Sequence, residues 1–236
     1  MMIRFINGLQ KKIEENNSDF DIMVHPYTTG KLNKEKAYFS GSYFHAAIVA
    51  NTSQQDLRFL NKLQVTIPTV LYNRLSDHYS SVNVDDKKIG TLIVNHLLAQ
   101  GYKSPLLLYC ENDFPGATIR KKSILENFSL ARIEISENHI DTVINSVEGG
   151  IEYGEKLATN NTFLETLDVV ICPSDMIAFG LEHSLLAHHI RIPEDIAILA
   201  IGNGSPEYSR YSSPPITVVN IPMEEMAETC YEMILK

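Results

Sequence analysis

Three observations predict an α/β protein made of two doubly wound lobes with parallel sheets. The stretch Asp168–Asn203 carries two apolar runs, Val169-Val170-Ile171-Cys172 and Ile196–Ile201, on either side of an amphipathic helical pattern. Both runs are too short for stable helices and rich in β-branched residues, so each reads as a strand buried on both faces. The same alternation fills the rest of the chain and restarts after Gly101. Strand, helix, strand with short joints is a parallel βαβ unit, and two series of such units make two lobes.

Taken in order, Ile3, Ile6, Leu9 and Ile13 recur at helical spacing over residues 2–16. Asp21–His25 reads as a short strand ended by Pro26, and Asn33–Phe44 as a weak helix. His45–Ala50 is a buried strand, after which Ser53 caps a helix over 54–63. Thr69–Arg74 and Ser80–Val84 are extended. Asp85 or Asp86 caps a long helix to Ala99, and Gly101 stands in the usual position past a helix end. In the second half Pro105–Cys110 is a strand, Ala117–Phe128 a helix, His139–Ile144 a strand and Gly150–Thr159 a helix. Ser174 or Asp175 then accepts from the orphan amides of a helix striped by Ile177, Leu181 and Leu185. That helix stops near His188-His189, because Pro193 disfavours continuation; His189 suits the left-handed conformation. Residues 216–219 are extended, and Pro222 starts a closing helix.

Totals narrow the function. The 236 residues, 44% hydrophobic and 21% charged, describe an ordinary globular chain, and no apolar run approaches a membrane span. Cys110, Cys172 and Cys230 show no paired spacing, which fits a reducing cytoplasm. The net charge of −9 opposes tight duplex binding, since Lys and Arg cluster only briefly, as in Arg120-Lys121-Lys122. Gly202-Asn203-Gly204 follows a strand but lacks the third glycine of a dinucleotide site. Gly149-Gly150 reads as a turn before a helix. His183, His188 and His189 share a helix without metal-site spacing and read as helix-end residues at the negative dipole pole. No activated serine or cysteine motif is present. Catalysis, a metal and a cofactor are therefore not expected.

Polar residues gather instead at strand ends. Asn73 and Arg74 end one strand, and Asp85 enters a helix. Glu111, Asn112, Asp113 and Phe114 follow another strand. Ser174 with Asp175, and Asn203, follow the two central strands, and Arg120 stands one turn into its helix. Carboxylates, amides, a guanidinium and an aromatic face suit a small polyhydroxylated ligand. Taken singly, Asp85 and Asp175 serve equally well as helix caps.

These pieces resemble the effector-binding core of LacI/GalR-type transcription regulators. The matching segments are HAAIVANTS, IPTVLYNR, SSVNVDDKKIG, HLLAQGYK, CPSDMIAFGLEHSLLAHHIRIPEDIAILAIGN and SPPITVVNIP, in family order. The resemblance implies a periplasmic-binding-protein-like type I fold, two lobes joined by crossover strands. One lobe is residues 1–100 with 221–236, the other residues 101–220. It implies a cytoplasmic homodimer that binds a sugar or sugar derivative between the lobes and reaches operator DNA through a helix-turn-helix head. That head, the first core strand and a final strand are expected outside this chain. The alternative with the same fold is a solute-binding protein of a sugar transporter. By position, Asn73, Arg74, Asp85, Phe114, Arg120, Ser174, Asp175 and Asn203 fall at ligand-facing places. Two departures stand out: Gly202 replaces an aspartate that clamps ligands in many members, and Ser174 replaces an asparagine. Each lost anchor removes about 1–3 kcal/mol where a buried partner is left unsatisfied.

Overall fold

In the computed structural model, which describes residues 2–110, 115–202 and 206–236, helices alternate with short parallel strands. The order is α1 (Met2–Glu15), β1 (Ala47–Ala50), α2 (Gln54–Lys62), β2 (Thr69–Tyr72), β3 (Ser80–Val82), α3 (Asp86–Ala99), β4 (Pro105–Tyr109) and α4 (Pro115–Leu130). There follow β5 (Ile140–Thr142), α5 (Val147–Ala158), α6 (Asn161–Leu164), β6 (Val169–Cys172), α7 (Asp175–Ala187), β7 (Ala197–Gly202), α8 (Pro206–Arg210), β8 (Thr217–Asn220) and α9 (Met223–Ile234). The chain forms two compact units, Met1–Val84 with Pro222–Lys236, and Asp85–Ile221.

The first unit holds a parallel sheet in the order β1-β2-β3, with Ala47 opposite Thr69 and Val70 opposite Ser80. Leu32, Phe39, Leu60 and Leu71 fill one side. On another, Leu9 of α1 packs with Ala227 and Tyr231 of α9. A capping box starts α2: the Ser53 hydroxyl accepts from the Asp56 amide at 3.2 Å, while the Asp56 carboxylate accepts from the Ser53 amide at 2.9 Å. The strand expected over Asp21–His25 does not form. The segment is held by Phe20 against Tyr231, by His25 against Glu35 at 3.0 Å and the Tyr38 ring, and by the Tyr27 hydroxyl on the Ala50 carbonyl at 2.6 Å. Without a paired neighbour its amides gain nothing from extension into a ladder, and Met23 and Val24 stay exposed. The weak helix expected over residues 33–44 is a 3-10 helix, Leu32–Phe39.

The second unit is a five-stranded parallel sheet, β5-β4-β6-β7-β8. The central strands β6 and β7 are buried at every residue, as two-sided coverage requires. Helices α5 and α7 cover one face at very close range. A Cβ added at Gly150 would stand 2.2 Å from the Ile177 carbonyl oxygen, and one at Gly180 would stand 2.0 Å from that of Val147. Gly149-Gly150 is therefore not a turn; both residues lie inside α5, Gly150 facing α7 and Gly149 facing Ile144 in the joint before the helix. Gly101, at φ +92°, closes α3 as expected, and His189, at φ +61°, follows α7 in the left-handed conformation.

The boundary between units falls at Asp85, not at Gly101. Helix α3 packs on α4: the Ser123 hydroxyl donates to the Lys87 carbonyl at 2.7 Å, and a Cβ at Gly90 would meet Ser123 at 2.6 Å. That packing commits α3 to the second unit. Short α6 and α8 carry no periodic signal strong enough to be read from sequence.

Candidate ligand-binding site

The order β5-β4-β6-β7-β8 sets the geometry of the second unit. The chain leaves β4 toward β5 on one side and leaves β6 toward β7 on the other, so the strand order reverses between β4 and β6. At such a switch point the loops diverge and open a crevice beyond the carboxyl ends of the strands. A cavity of about 50 Å³ lies there, floored by Tyr109 and Cys110 at the end of β4 and by Cys172 and Pro173 at the end of β6. Arg120 and Lys121 of α4, and Asn145 just before α5, complete its polar lining.

Each polar group is held by local structure. Arg120 is 5% exposed, and its Nε donates to Asp86 Oδ1 at 2.6 Å. Lys121 places its ammonium 3.5 Å from the centre of the Tyr109 ring, a cation–π contact. Ser174 is the N-cap of α7: its hydroxyl accepts from the Ile177 amide at 3.4 Å and donates to Asn145 Oδ1 at 3.0 Å. Asp175, 2% exposed, opens the helix and accepts from the Met176 amide at 3.1 Å. Burial, with Cys110 alongside, pushes the Cys172 thiol far above its ordinary range, so it stays protonated and supplies no nucleophile.

The sequence-predicted residues divide accordingly. Arg120 lines the cavity, and Ser174 reaches its rim through Asn145. Asp85 is exposed and caps α3, its Oδ1 accepting from the Lys88 amide at 2.9 Å. The carboxylate that meets Arg120 belongs to its neighbour Asp86. In the first unit Asn73 takes a left-handed turn, φ +54°, after β2 and donates its amide to the Val82 carbonyl at 2.7 Å. Arg74 ties that turn down, donating from Nε to the Thr52 carbonyl and from Nη1 to the Asn73 carbonyl, both at 2.7 Å. Phe114 and Asn203 lie outside the described residues.

Sequence reasoning missed Asp86, Lys121 and Asn145. Asp86 was legible only as an alternative cap, Lys121 only as part of a short basic cluster, and Asn145 carried no signal because it sits in a strand-to-helix joint. A second cavity, about 240 Å³, opens beside β5 between Asp141, Tyr153, Lys156 and Phe163. Its charges satisfy each other: Asp141 Oδ2 accepts from Lys156 Nζ at 2.7 Å and from the Tyr153 hydroxyl at 3.0 Å. Among the described residues no group of three or more His, Cys, Asp or Glu side chains is arranged to hold a metal, and no helix is long and apolar enough to cross a membrane.

Residues 94–236 match the model of the periplasmic binding protein-like domain. Over its whole length the chain superposes on a LacI family transcription regulator from Clostridium acetobutylicum with a TM-score of 0.93 at 40% identity, covering 86% of that chain. The chain belongs to the LacI family. A LacI family regulator from Lactobacillus casei with bound sucrose shares the fold at 19% identity, with a TM-score of 0.78 over 98% of this chain and 86% of its own. In sequence, the HTH-type transcriptional repressor PurR of Vibrio atlanticus is 25% identical over 194 residues, 80% of this chain and 56% of the repressor. The chain thus spans about half the length of the curated relatives it matches. What it carries of a LacI family regulator is the periplasmic binding protein-like fold, and the relatives named above are transcription regulators.

Proposed function

We propose that this chain is the effector-binding and dimerisation core of a cytoplasmic LacI-type regulator, acting without catalysis. It binds a small polar ligand, a sugar or sugar derivative, and operator DNA is reached through a head fused to it. The observation that carries this reading is the cavity at the β4–β6 switch point, where Arg120, Lys121 and Asn145 meet in a chain 40% identical to a LacI family regulator. The sucrose and cellobiose named with two more distant regulator structures of the same fold support a sugar as the class of ligand. Asn73 and Arg74 of the first unit, and Asp85, Ser174, Asp175, Phe114 and Asn203, belong to the proposed ligand set.

Ligand binding controls such a regulator only by favouring one arrangement over another, so the ligand must bind the two arrangements with different affinity. A panel of sugars, sugar acids and sugar phosphates, followed by calorimetry and thermal unfolding, tests the reading. At least one should raise the melting temperature and bind with measurable heat. A folded protein indifferent to the whole panel would remove the effector role. Sedimentation of the chain tests the homodimer.

A further inference from the structure

We infer that the ligand of this pocket carries an anionic group, a phosphate or a carboxylate, seated at the β4–β6 switch point against Lys121. The inference rests on the effector reading above and adds the chemical class of the ligand. Lys121 supplies the first argument. Its ammonium lies over the Tyr109 ring at the cavity, and among the described residues no ion pair joins it to a carboxylate. Its neighbours differ: Arg120 is matched by Asp86, and Lys122 by Glu126. An aromatic face holds a cation in place without neutralising it. Among the described lining residues, Lys121 therefore contributes a positive charge without a carboxylate partner.

The cavity's surroundings have the same sign. Ala117 in the first turn of α4, Asn145 just before the Ser146 cap of α5, and Pro173 just before the Ser174 cap of α7 all line it. Three helices of twelve or more residues thus point their amino ends at one space, where backbone dipoles favour negative charge; α5 and α7 carry Glu148 and Asp175 in their first turns, and α4, which bears Lys121, carries no acidic residue there. No described lining residue is acidic. At the end of β7, where an aspartate would repel an anion, the chain has Gly202, its nearest contacts from Asn220 and Val218. The size agrees as well: about 50 Å³ admits a few waters or one compact anionic group. The neutral part of the ligand would extend out of the cavity.

Matched pairs test the charge apart from the sugar. Calorimetry compares glucose with a glucose phosphate ester and galactose with galacturonate, with inorganic phosphate alone as the minimal probe. The acidic member of at least one pair should bind about tenfold more tightly than its neutral partner, and the advantage should shrink as salt rises. Lys121→Gln, a half-exposed position, should erase that advantage with thermal unfolding unchanged, and Lys121→Arg should keep most of it. A neutral sugar bound as tightly as its acidic partner, or a preference that survives Lys121→Gln, overturns the anionic assignment and leaves the effector reading standing. Silence toward neutral and acidic sugars alike, in a folded protein, defeats both.

Discussion

Asp56 is the side chain on which the first unit's loop geometry most depends. It is 1% exposed, and its carboxylate accepts from the amides of Gly30, Leu32 and Ser53 and from the Ser53 hydroxyl, at 2.7–2.9 Å. Burial alone would raise its pKa, but the hydrogen bonds from Ser53, Leu32 and Gly30 outweigh burial and hold the carboxyl below the usual aspartate range. A folded carboxyl that titrates below its unfolded value stabilises fully above the ordinary aspartate range and loses that contribution as pH falls toward the folded value. Asp56→Asn is expected to cost about 2 kcal/mol in urea unfolding at neutral pH, and less as the solution is made acidic. A cost independent of pH would exclude the carboxylate as its source. Arg120 provides a second case. Its removal strands Asp86, whose side chain is 12% exposed, so Arg120→Ala should destabilise by about 3 kcal/mol as well as weaken ligand binding. Binding lost without any loss of stability would show that the Asp86 pair contributes nothing to the fold.

At the scale of elements, the contact between α5 and α7 is decisive. Periodicity marks both helices, yet it says nothing of how closely they approach. Gly150, Gly154, Gly180 and Ser184 let the two backbones nearly touch. Gly150→Ala raises intrinsic helix propensity but drives a Cβ to within 2.2 Å of the Ile177 carbonyl oxygen. Overpacking should win, at about 3 kcal/mol by chemical denaturation; a neutral or stabilising result would mean that the helices can separate freely. The same lesson explains the misread turn at Gly149-Gly150. Two adjacent glycines suggest a bend locally, whereas here Gly150 serves a neighbouring helix that no local pattern reveals. The absent strand at Asp21–His25 is the converse. Its composition is that of a strand, but a strand exists only when another pairs with it.

For the molecule as a whole, residues 85–221 form one uninterrupted stretch with its own sheet and its own core of Leu106, Val170, Ile177, Leu181 and Ile198. A protein limited to that stretch is expected to unfold cooperatively and to retain a response to inorganic phosphate, as read by circular dichroism and calorimetry. A noncooperative melt would show that this unit depends on the first. Alternation of buried strands with amphipathic helices was enough to reveal the α/β class, the strands from β4 to β8, the cap Ser53, and the caps Asp85 and Ser174 each as one of two adjacent candidates, because periodicity and capping are local consequences of covalent spacing. The family, too, was legible in the run from Cys172 to Asn203. Which groups meet at the cavity was not: Asn145 reaches Ser174 and the lining of Arg120 and Lys121 only through the loops at the β4–β6 reversal, and Asp86 reaches Arg120 only through the packing of α3 on α4. Sequence by itself determined the kinds of element and their order, since each depends on residues a few positions apart. The boundary at Asp85, the helix contact at Gly150 and the charge of the pocket were decided by tertiary structure, since each depends on distances between segments that the chain's order does not encode.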